Sequence, residues 1–308
     1  MVCTVTLDPA LDYLIQVDAL IPGTVRRVRE AKLRPGGKGI NVSAVLTALG
    51  IANTALGFRA GASGRMLDEA LTAAGLRTRL LPLDSGATRI NVKIRGREET
   101  ALDAAGPPIP PEALAVLLAE LDRLGEGDVL VLSGSVPPSL PPDIYQRILE
   151  RLEDRGIRAV VDTSGEALRL ALCRHPFLIK PNQPELEALT GGPVRDEADL
   201  CARAAALQTA GARNVLVSLG REGALLLDED GGRRRAQVPP GALQSSVGAG
   251  DAMVAGFLAG WLRTGDYPHA LRWGVAAGSA AAYAGAPPAK AQVEALLAET
   301  VLTDLWKG

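Results

Sequence analysis

Residues 128–161 read DVLVLSGSVPPSLPPDIYQRILERLEDRGIRAVV, and this stretch predicts a complete strand–helix–strand unit. The apolar run at 128–132 is typical of a buried strand, and the serine, glycine and proline residues of 133–142 end it. The segment 144–155 carries apolar residues at helical spacing, and a second apolar run follows at 158–161. A strand, a helix and a strand in this order indicate a parallel pair joined by a crossover helix.

The same alternation continues on both sides of that unit. Further strands are predicted at 2–7, 177–179 and 214–219, and further helices at 41–50 and 200–210. The alanine-rich segment 253–284 predicts two packed helices with a break near 265–268. Strands that alternate with helices favour an α/β protein with a doubly wound parallel sheet.

Two stretches do not fit that rhythm. Residues 12–34 alternate weakly and are broken by Pro22 and Gly23, while residues 87–102 contain the hairpin-like run RINVKI. Both are predicted to form strands of a small sheet outside the main domain.

Composition excludes several classes of protein. The chain has 308 residues, which suggests two domains or one large domain with an insertion. Its net charge is −2, so no overall basic field attracts nucleic acid. Aromatic residues make up only 3%, which argues against a stacking surface for single strands.

Cysteine and histidine are too sparse for a disulfide framework or a histidine-rich metal site. The three cysteines are Cys3, Cys173 and Cys201, and the two histidines are His175 and His269. The first dozen residues contain acidic side chains and no basic stretch, unlike a signal peptide. No apolar run is long enough to cross a bilayer. We therefore expect a cytoplasmic protein with no membrane and no nucleic-acid partner.

The first candidate site is RPGGKGIN at 34–41, directly before a predicted helix. The adjacent glycines Gly36 and Gly37 let backbone N–H groups approach a ligand closely, and Lys38 adds a positive charge at the helix start. The spacing matches neither a P-loop nor a dinucleotide fingerprint. An ordinary loop is the alternative.

The second candidate site is SVGAGD at 246–251, which leads into an apolar helix. Gly248, Ala249 and Gly250 offer successive N–H groups to an anion. Asp251 would then be a general base beside that anion hole. The alternative is that Asp251 only caps the helix.

The third candidate site is KPNQPE at 180–185, which follows a predicted strand. Ligands bind at the carboxyl ends of parallel strands. Asn182 and Glu185 offer oxygen atoms that could organise Mg²⁺ through water. The alternative is a turn with Glu185 in the first turn of the next helix.

Taken in order, these segments resemble the ribokinase-like (PfkB) family of sugar kinases, in particular its branch of 1-phosphofructokinases and tagatose-6-phosphate kinases. The matching segments are TVTLDPALD (4–12), GGKGINV (36–42), TRINVK (88–93), SGSVPPSLP (133–141), DTSGEAL (162–168), KPNQPEL (180–186), VSLGREGA (217–224) and SVGAGDAMVAGF (246–257). The resemblance implies transfer of the ATP γ-phosphate to a sugar hydroxyl, with ATP and Mg²⁺ as cofactors and a sugar phosphate as partner. A monovalent cation is left open.

The resemblance also implies an architecture. It predicts a ribokinase-like (Rossmann-like) three-layer α/β/α domain formed by residues 1–11, 35–86 and 104–308. Residues 12–34 and 87–103 would form a β-sheet lid. Lids of this kind pair two subunits, so a homodimer through the lid is expected.

The family's roles carry over by position. Asp251 matches the catalytic base, and Gly248, Ala249 and Gly250 match the anion hole. The residues that match the sugar site are Asp12, Gly36, Gly37, Asn41 and Ser135, with Lys38 and Arg89 reaching the phosphate already on the substrate. Arg27 is a looser match that reaches the site from the lid or from a partner subunit, and a solvated charge is its alternative.

On the nucleotide side, Asn182 and Glu185 match the pair that positions Mg²⁺. The residues that match the ATP site are Lys180, Asn182, Ser218, Gly220, Gly223, Ser246, Val247 and Ser279. For Ser279, a simple helix-packing role is the alternative. Asp8 and Asp103 stand where the family pattern has asparagine, and Asp8 is expected to lie under the sugar site rather than in it.

The acceptor is expected to carry a phosphate, because Lys38 and Arg89 are both cationic. Since TRINVK is closer to 1-phosphofructokinases, the prediction is a phosphotransferase that converts D-fructose 1-phosphate to fructose 1,6-bisphosphate. The alternatives are phosphorylation of tagatose 6-phosphate or fructose 6-phosphate. A sensor without turnover is a further alternative, but it would have lost Asp251, the anion hole or Glu185.

Overall fold

The computed structural model describes residues 1–25, 27–96 and 99–305. Its strands are β1 (Val2–Thr6), β2 (Ala10–Gln16), β3 (Glu30–Gly36), β4 (Asn53–Ala60), β5 (Thr78–Leu83), β6 (Arg89–Arg95), β7 (Glu99–Leu102), β8 (Val129–Ser133), β9 (Arg158–Asp162), β10 (Leu178–Ile179), β11 (Asn214–Ser218), β12 (Ala224–Leu227), β13 (Arg233–Ala236) and β14 (Leu302–Asp304). Its helices are α1 (Lys38–Ala48), α2 (Gly61–Ala73), α3 (Pro111–Leu121), α4 (Ile144–Arg151), α5 (Gly165–Ala171), α6 (Gln183–Thr190), α7 (Glu197–Thr209), α8 (Ala249–Thr264), α9 (Tyr267–Ala284) and α10 (Lys290–Leu297).

The main sheet has ten strands in the order β14-β13-β12-β11-β10-β9-β8-β1-β4-β5. The strands from β11 to β5 in that order pair in parallel, as the alternation of strands and helices predicts. The other edge differs, because β12, β13 and β14 pair antiparallel. A short glycine-containing turn joins β12 to β13, and so short a connection permits only an antiparallel pair.

Helices cover both faces of this sheet. Successive residues of a strand point to opposite faces, so Cys3 and Val5 of β1 enter one apolar cluster and Val2 enters another. The first cluster includes residues of α3 to α7, and the second includes residues of α1, α8, α9 and α10. The result is the predicted three-layer α/β/α arrangement.

A second sheet has four strands in the order β3-β2-β6-β7. Strand β2 is antiparallel to β3 and parallel to β6, and β6 is antiparallel to β7. This small sheet confirms the prediction that residues 12–34 and 87–102, which do not follow the alternation of strands and helices, contribute strands to a separate sheet. Its strands β2 and β3 extend two residues beyond the predicted range 12–34, to Ala10 and to Gly36. Residues 26, 97 and 98 of the predicted lid and residues 306–308 lie outside the described part of the chain.

Helix boundaries differ from the sequence pattern in ways that matter for the site. Helix α1 begins at Lys38 rather than at 41, and α8 begins at Ala249 rather than near 253. The glycine-rich segments therefore form the first turns of helices, where backbone N–H groups are free to bind an anion. The predicted helix 144–155 ends at Arg151, and a separate 3₁₀ turn follows at Glu153–Arg155.

Candidate active site

A cavity of about 1140 Å³ lies between the main sheet and the small sheet. Strand-end loops, the first turns of α1 and α8, and one face of the small sheet line it. The predicted site residues that line it are Asp12, Gly37, Lys38, Asn41, Arg89, Ser135, Lys180, Asn182, Glu185, Ser218, Gly220, Ser246, Val247, Gly248, Ala249, Gly250, Asp251 and Ser279. The fold thus brings together residues that are more than 200 positions apart in the chain.

Asp251 lies at the start of α8, buried in the cavity wall. The N-cap of α8 is Gly248, with a φ of 79°, and Asp251 is the third residue of the helix. Asp251 is therefore not the N-cap, although it lies in the first turn, where a negative charge favours the helix dipole. Its Oδ2 accepts a hydrogen bond of 2.8 Å from Asn41 Nδ2 of α1. This contact fixes the carboxylate beside the N–H groups of the glycine-rich turn.

Burial raises the pKa of Asp251 to about 6, and the negative charge of Asp162 adds to this rise. The hydrogen bond from Asn41 and the positive charges of Lys38 and Lys180 act in the opposite direction. A carboxylate with a pKa near neutrality can accept a proton during a reaction and release it afterwards.

Two lysines meet at one carboxylate next to Asp251. The Nζ atoms of Lys38 and Lys180 each lie 3.4 Å from Oδ1 of Asp162, which is fully buried at the end of β9. A Cβ on Gly250 would lie 3.1 Å from Lys180 Nζ, so this ammonium borders the glycine-rich turn. Burial favours a lower pKa for Lys38, but Asp162, Asp251 and Glu185 raise it above its ordinary value. Lys38 is therefore cationic at neutral pH.

The sequence analysis missed Asp162 as a site residue. It lies within the quoted segment DTSGEAL, at the carboxyl end of a parallel strand. Lys180 and Ser218 occupy the same position after β10 and at the end of β11, and both were recognised. The strand-end position was thus the signal that could have found it.

The small sheet supplies the other end of the cavity. Asn91 Nδ2 of β6 donates a hydrogen bond of 2.9 Å to Oδ1 of Asp12 on β2. Arg89 Nε lies 3.2 Å from Oδ2 of Asp8, and Arg89 also donates to the Asp8 carbonyl. Asp8 itself lines the cavity, so the expectation that it lies under the site is wrong. Asn91 was also missed, although it stands inside the quoted run TRINVK.

Asn182 and Glu185 hold each other in a capping box at the start of α6. Asn182 Oδ1 accepts from the Glu185 N–H at 2.8 Å, and Glu185 Oε2 accepts from the Asn182 N–H at 2.9 Å. The predicted alternative of a structural turn is thus realised, and one oxygen of Glu185 is left for a ligand. Ser279 is buried on α9 beside apolar side chains such as Val275 and Tyr283.

Three predicted residues do not line the cavity. Gly36 packs behind Asp12, where a Cβ would come within 2.6 Å of the carboxylate. Gly223 has a φ of 90° and packs against the Ala236 carbonyl. Arg27 is exposed in the connection between β2 and β3, away from the cavity residues of this chain.

Neither a metal cluster nor a membrane helix is found in the described residues. Within 1–25, 27–96 and 99–305, no three His, Cys, Asp or Glu side chains lie close enough together to hold a metal ion. None of the helices described for this chain has both the length and the apolar character needed to cross a membrane.

Known proteins resemble this chain over nearly its whole length. A protein of Bacillus subtilis named 1-phosphofructokinase is 40% identical over 305 residues, which is 99% of this chain and 100% of the relative. A D-tagatose-1-phosphate kinase of Bacillus licheniformis is 34% identical and covers 92% of this chain and 93% of its own length. The structure of phosphofructokinase-2 from Escherichia coli in complex with fructose-6-phosphate superimposes with a TM-score of 0.90, at 30% identity, covering 96% of this chain and 98% of that one.

The family match has the same extent. The pattern of the pfkB family carbohydrate kinases matches residues 4–286. This range includes the whole small sheet, the main sheet except β14 and the first two residues of β1, and every cavity residue named above. With the relatives at 30% identity and above, this match establishes the family. The chain belongs to the pfkB family of carbohydrate kinases and is an ATP-dependent sugar kinase.

Proposed function

We propose that this kinase is a 1-phosphofructokinase, which transfers the ATP γ-phosphoryl group to O6 of D-fructose 1-phosphate. One observation carries the proposal. Asp251 lies buried in the glycine-rich first turn of α8, hydrogen-bonded to Asn41, and lines the same cavity as Asp12 and Arg89. A sugar hydroxyl held there lies between a carboxylate and an anion-binding turn. The full-length likeness to the Bacillus subtilis 1-phosphofructokinase supports the choice of sugar.

In this proposal, Asp251 takes the proton of the acceptor hydroxyl. The backbone N–H groups of Gly248, Ala249 and Gly250 stabilise the charge that develops on the transferred phosphoryl group. Lys180 adds a fixed positive charge next to the same turn. Because phosphoryl transfer depends mainly on positioning and electrostatics, these groups account for the chemistry.

At the sugar end, Asp12 and Asn91 are proposed to hold the hydroxyl groups. Arg89 and Lys38 are proposed to bind the phosphate that the acceptor already carries. Arg89 forms a salt bridge with Asp8 in this structure. The substrate phosphate and the Asp8 carboxylate would therefore bind the same guanidinium. A guanidinium has enough donors to serve two acceptors.

A divalent metal fits the nucleotide end of the cavity, and Mg²⁺ is the ion we propose. Asn182 and Glu185 line the cavity there, and their capping box uses only one of the two carboxylate oxygens of Glu185. Carboxylate and amide oxygens are the ligands that Mg²⁺ prefers, with water completing its shell. When bound, the ion would neutralise charge on the ATP phosphates.

A homodimer through the small sheet is also proposed. One face of that sheet lines the cavity, with the side chains of Asp12, Asn91 and Arg89. The residues that alternate with these along the strands form the opposite face. That face exposes the apolar side chains Tyr13, Leu33, Ile90 and Leu102. A second copy of this chain would cover them, which is the arrangement that the lid predicts. Because ATP and sugar phosphates are cytoplasmic metabolites, we propose the cytoplasm as the compartment.

An assay of ADP release with Mg-ATP tests the choice of sugar. The acceptors are fructose 1-phosphate, tagatose 1-phosphate, tagatose 6-phosphate, fructose 6-phosphate and free fructose. We expect kcat/KM for fructose 1-phosphate to lead by at least about tenfold, which is about 1.4 kcal/mol of transition-state discrimination. A higher kcat/KM for another sugar phosphate would refute the proposed substrate, but it would not affect the conclusion that the protein is a sugar kinase. The variant Asp251→Asn, prepared in parallel, measures contaminating activity.

A further inference from the structure

Two arginines of the small sheet reach across to the main domain at the nucleotide end of the cavity. Arg34 Nη1 of β3 donates a hydrogen bond of 2.9 Å to the carbonyl of Gly285. Arg95 Nη2 of β6 donates one of 2.8 Å to Oγ of Ser245. Both arginines are partly buried, and neither lines the cavity itself. Their contacts therefore serve the protein rather than a ligand directly.

The two acceptors belong to segments that support the glycine-rich turn. Oγ of the buried Ser245 also accepts from the backbone N–H of Val247, at 3.2 Å, and Gly248 follows as the N-cap of α8. The N–H groups of Gln244 and Ser245 donate to the carbonyl of Ala282 near the end of α9. Gly285, the C-cap of α9, lies against Gln244. The loop 244–248 and the end of α9 thus form one unit, which both arginines hold.

On the small sheet, the same arginines are next to the residues of the sugar end. Asp12 is the register partner of both Arg34 on β3 and Asn91 on β6. These three side chains therefore form a row on the face turned to the cavity. Arg95 lies on the same face of β6 as Arg89 and Asn91, because residues two apart in a strand point the same way.

We propose that Arg34 and Arg95 are positioning residues, which hold the loop 244–248 against the small sheet so that the N–H groups at the start of α8 stay aimed at the transferred phosphoryl group. The inference rests on the proposed function. A hydrogen bond from a guanidinium is stronger than one between neutral groups, so two of them can fix a short loop. Their loss would leave the sugar end intact while loosening the turn that stabilises developing charge.

The test uses Arg95→Ala, Arg34→Ala and Ser245→Ala in the full chain, with Arg29→Ala as the matched control. Arg29 is a lid arginine whose partner, Asp18, is as exposed as itself. We expect kcat of the three variants to fall by about tenfold or more, the loss typical of one charged hydrogen bond. KM for the sugar phosphate should change by less than about threefold, because Asp12, Asn91 and Arg89 are untouched. Arg29→Ala should match the unchanged enzyme.

Two further variants make the result specific to the contact. Arg95→Lys keeps a donor and is expected to recover part of the lost kcat. The double variant Arg95→Ala with Ser245→Ala should lose no more than the worse single variant, since each single variant already removes the hydrogen bond between Arg95 and Ser245. Arg95 also lies 3.8 Å from Glu99, so Glu99→Ala controls for that pair and should leave kcat unchanged.

The outcomes separate this inference from the proposed function. If the unchanged enzyme turns over no sugar phosphate, the proposed function is wrong. If it is active and Arg95→Ala behaves like Arg29→Ala, or if the double variant shows additive losses, the positioning role is wrong. A fall in sugar-phosphate affinity without a fall in kcat also overturns it. Should Arg95→Ala not fold, Ser245→Ala removes the same hydrogen bond and provides the same comparison with Arg29→Ala.

Discussion

Replacing Asp251 with asparagine is expected to slow phosphoryl transfer strongly and, at pH 8, to make the folded chain more stable. The amide has the shape of the carboxylate, and its oxygen can still accept the hydrogen bond that Asn41 donates at 2.8 Å. It cannot take a proton from the acceptor hydroxyl. Loss of a general base lowers kcat by about 10²- to 10⁴-fold, with binding of the sugar phosphate largely kept.

The gain in stability follows from the pKa of Asp251, which burial raises from 3.8 to about 6. The folded chain thus binds this proton more tightly than the unfolded chain does. Below pH 4 the carboxyl is neutral in both states and costs nothing extra. As pH rises through 6, the folded state must hold a buried charge, at a cost of about 3 kcal/mol. Asparagine is never charged, so the variant avoids this cost at high pH only.

Thermal unfolding of both proteins between pH 4 and pH 8 measures this difference. The stability of Asp251→Asn relative to the unchanged enzyme should rise between pH 4 and pH 7 and then level off. In the unchanged enzyme, kcat/KM should fall about tenfold per pH unit below pH 6, as the base becomes protonated. Asp154→Asn, an exposed site on a 3₁₀ turn, is the control and should change neither quantity.

Two results would refute the reasoning. Substantial turnover by Asp251→Asn would show that another group takes the proton. A stability difference that does not vary with pH would show that the carboxyl is not held at a raised pKa. A variant that is inactive and also less stable at every pH has been damaged structurally, and then the loss of activity says nothing about a base.

Three further predictions concern the fold, the charge network and the assembly. In Gly39→Ala the new Cβ would lie 2.7 Å from a backbone carbonyl of β1, so the free energy of unfolding should fall by about 1–3 kcal/mol. Gly125→Ala is the control, because the space around Gly125 is open, and its thermal unfolding should be unchanged. Asp162→Asn removes a negative charge that raises the pKa of the proposed base, so the acid limb of kcat/KM should move to lower pH. Ile90→Asp, on the outer face of the small sheet, should convert a dimer to a monomer in analytical ultracentrifugation, whereas Val116→Asp, equally exposed on α3, should not.

Much of the fold follows from local patterns in the sequence. Parallel strands, crossover helices and the break before α9 each have a signal within a few residues, and each is present in the structure. The antiparallel edge formed by β12, β13 and β14 was missed. Its strands are three or four residues long, and their apolar pattern is too short to distinguish a hairpin from a crossover.

The candidate site was predictable where its function is carried by backbone. Glycine-rich turns before helices mark anion sites whatever lies around them, so the segments near Gly37 and Gly248 could be recognised alone. The strand-end position of Asp162 could have marked it as a candidate, but its contact with Lys38 could not be predicted, because Lys38 is 124 positions away in the chain. The contact between Asn41 and Asp251 likewise joins residues 210 positions apart. Local pattern says nothing about such pairs. The residues alone suggested roles for Lys38 and Asp251, the resemblance to a family added Asn41, and neither gave a role to Asp162.

The charges at the centre of the cavity explain how the proposed base can work near neutral pH. Asp251 and Asp162 bring two negative charges, and Lys38 and Lys180 bring two positive ones. Both substrates are anionic. If a substrate phosphate bound without a cation to neutralise it, its negative charge would raise the pKa of Asp251 further and favour the inactive, protonated form of this carboxyl. The acid limb of kcat/KM reports this carboxyl in the free enzyme, and the acid limb of kcat reports it in the substrate complex. The separation between the two limbs therefore measures how completely the lysines and the cation that accompanies ATP offset the substrate phosphates.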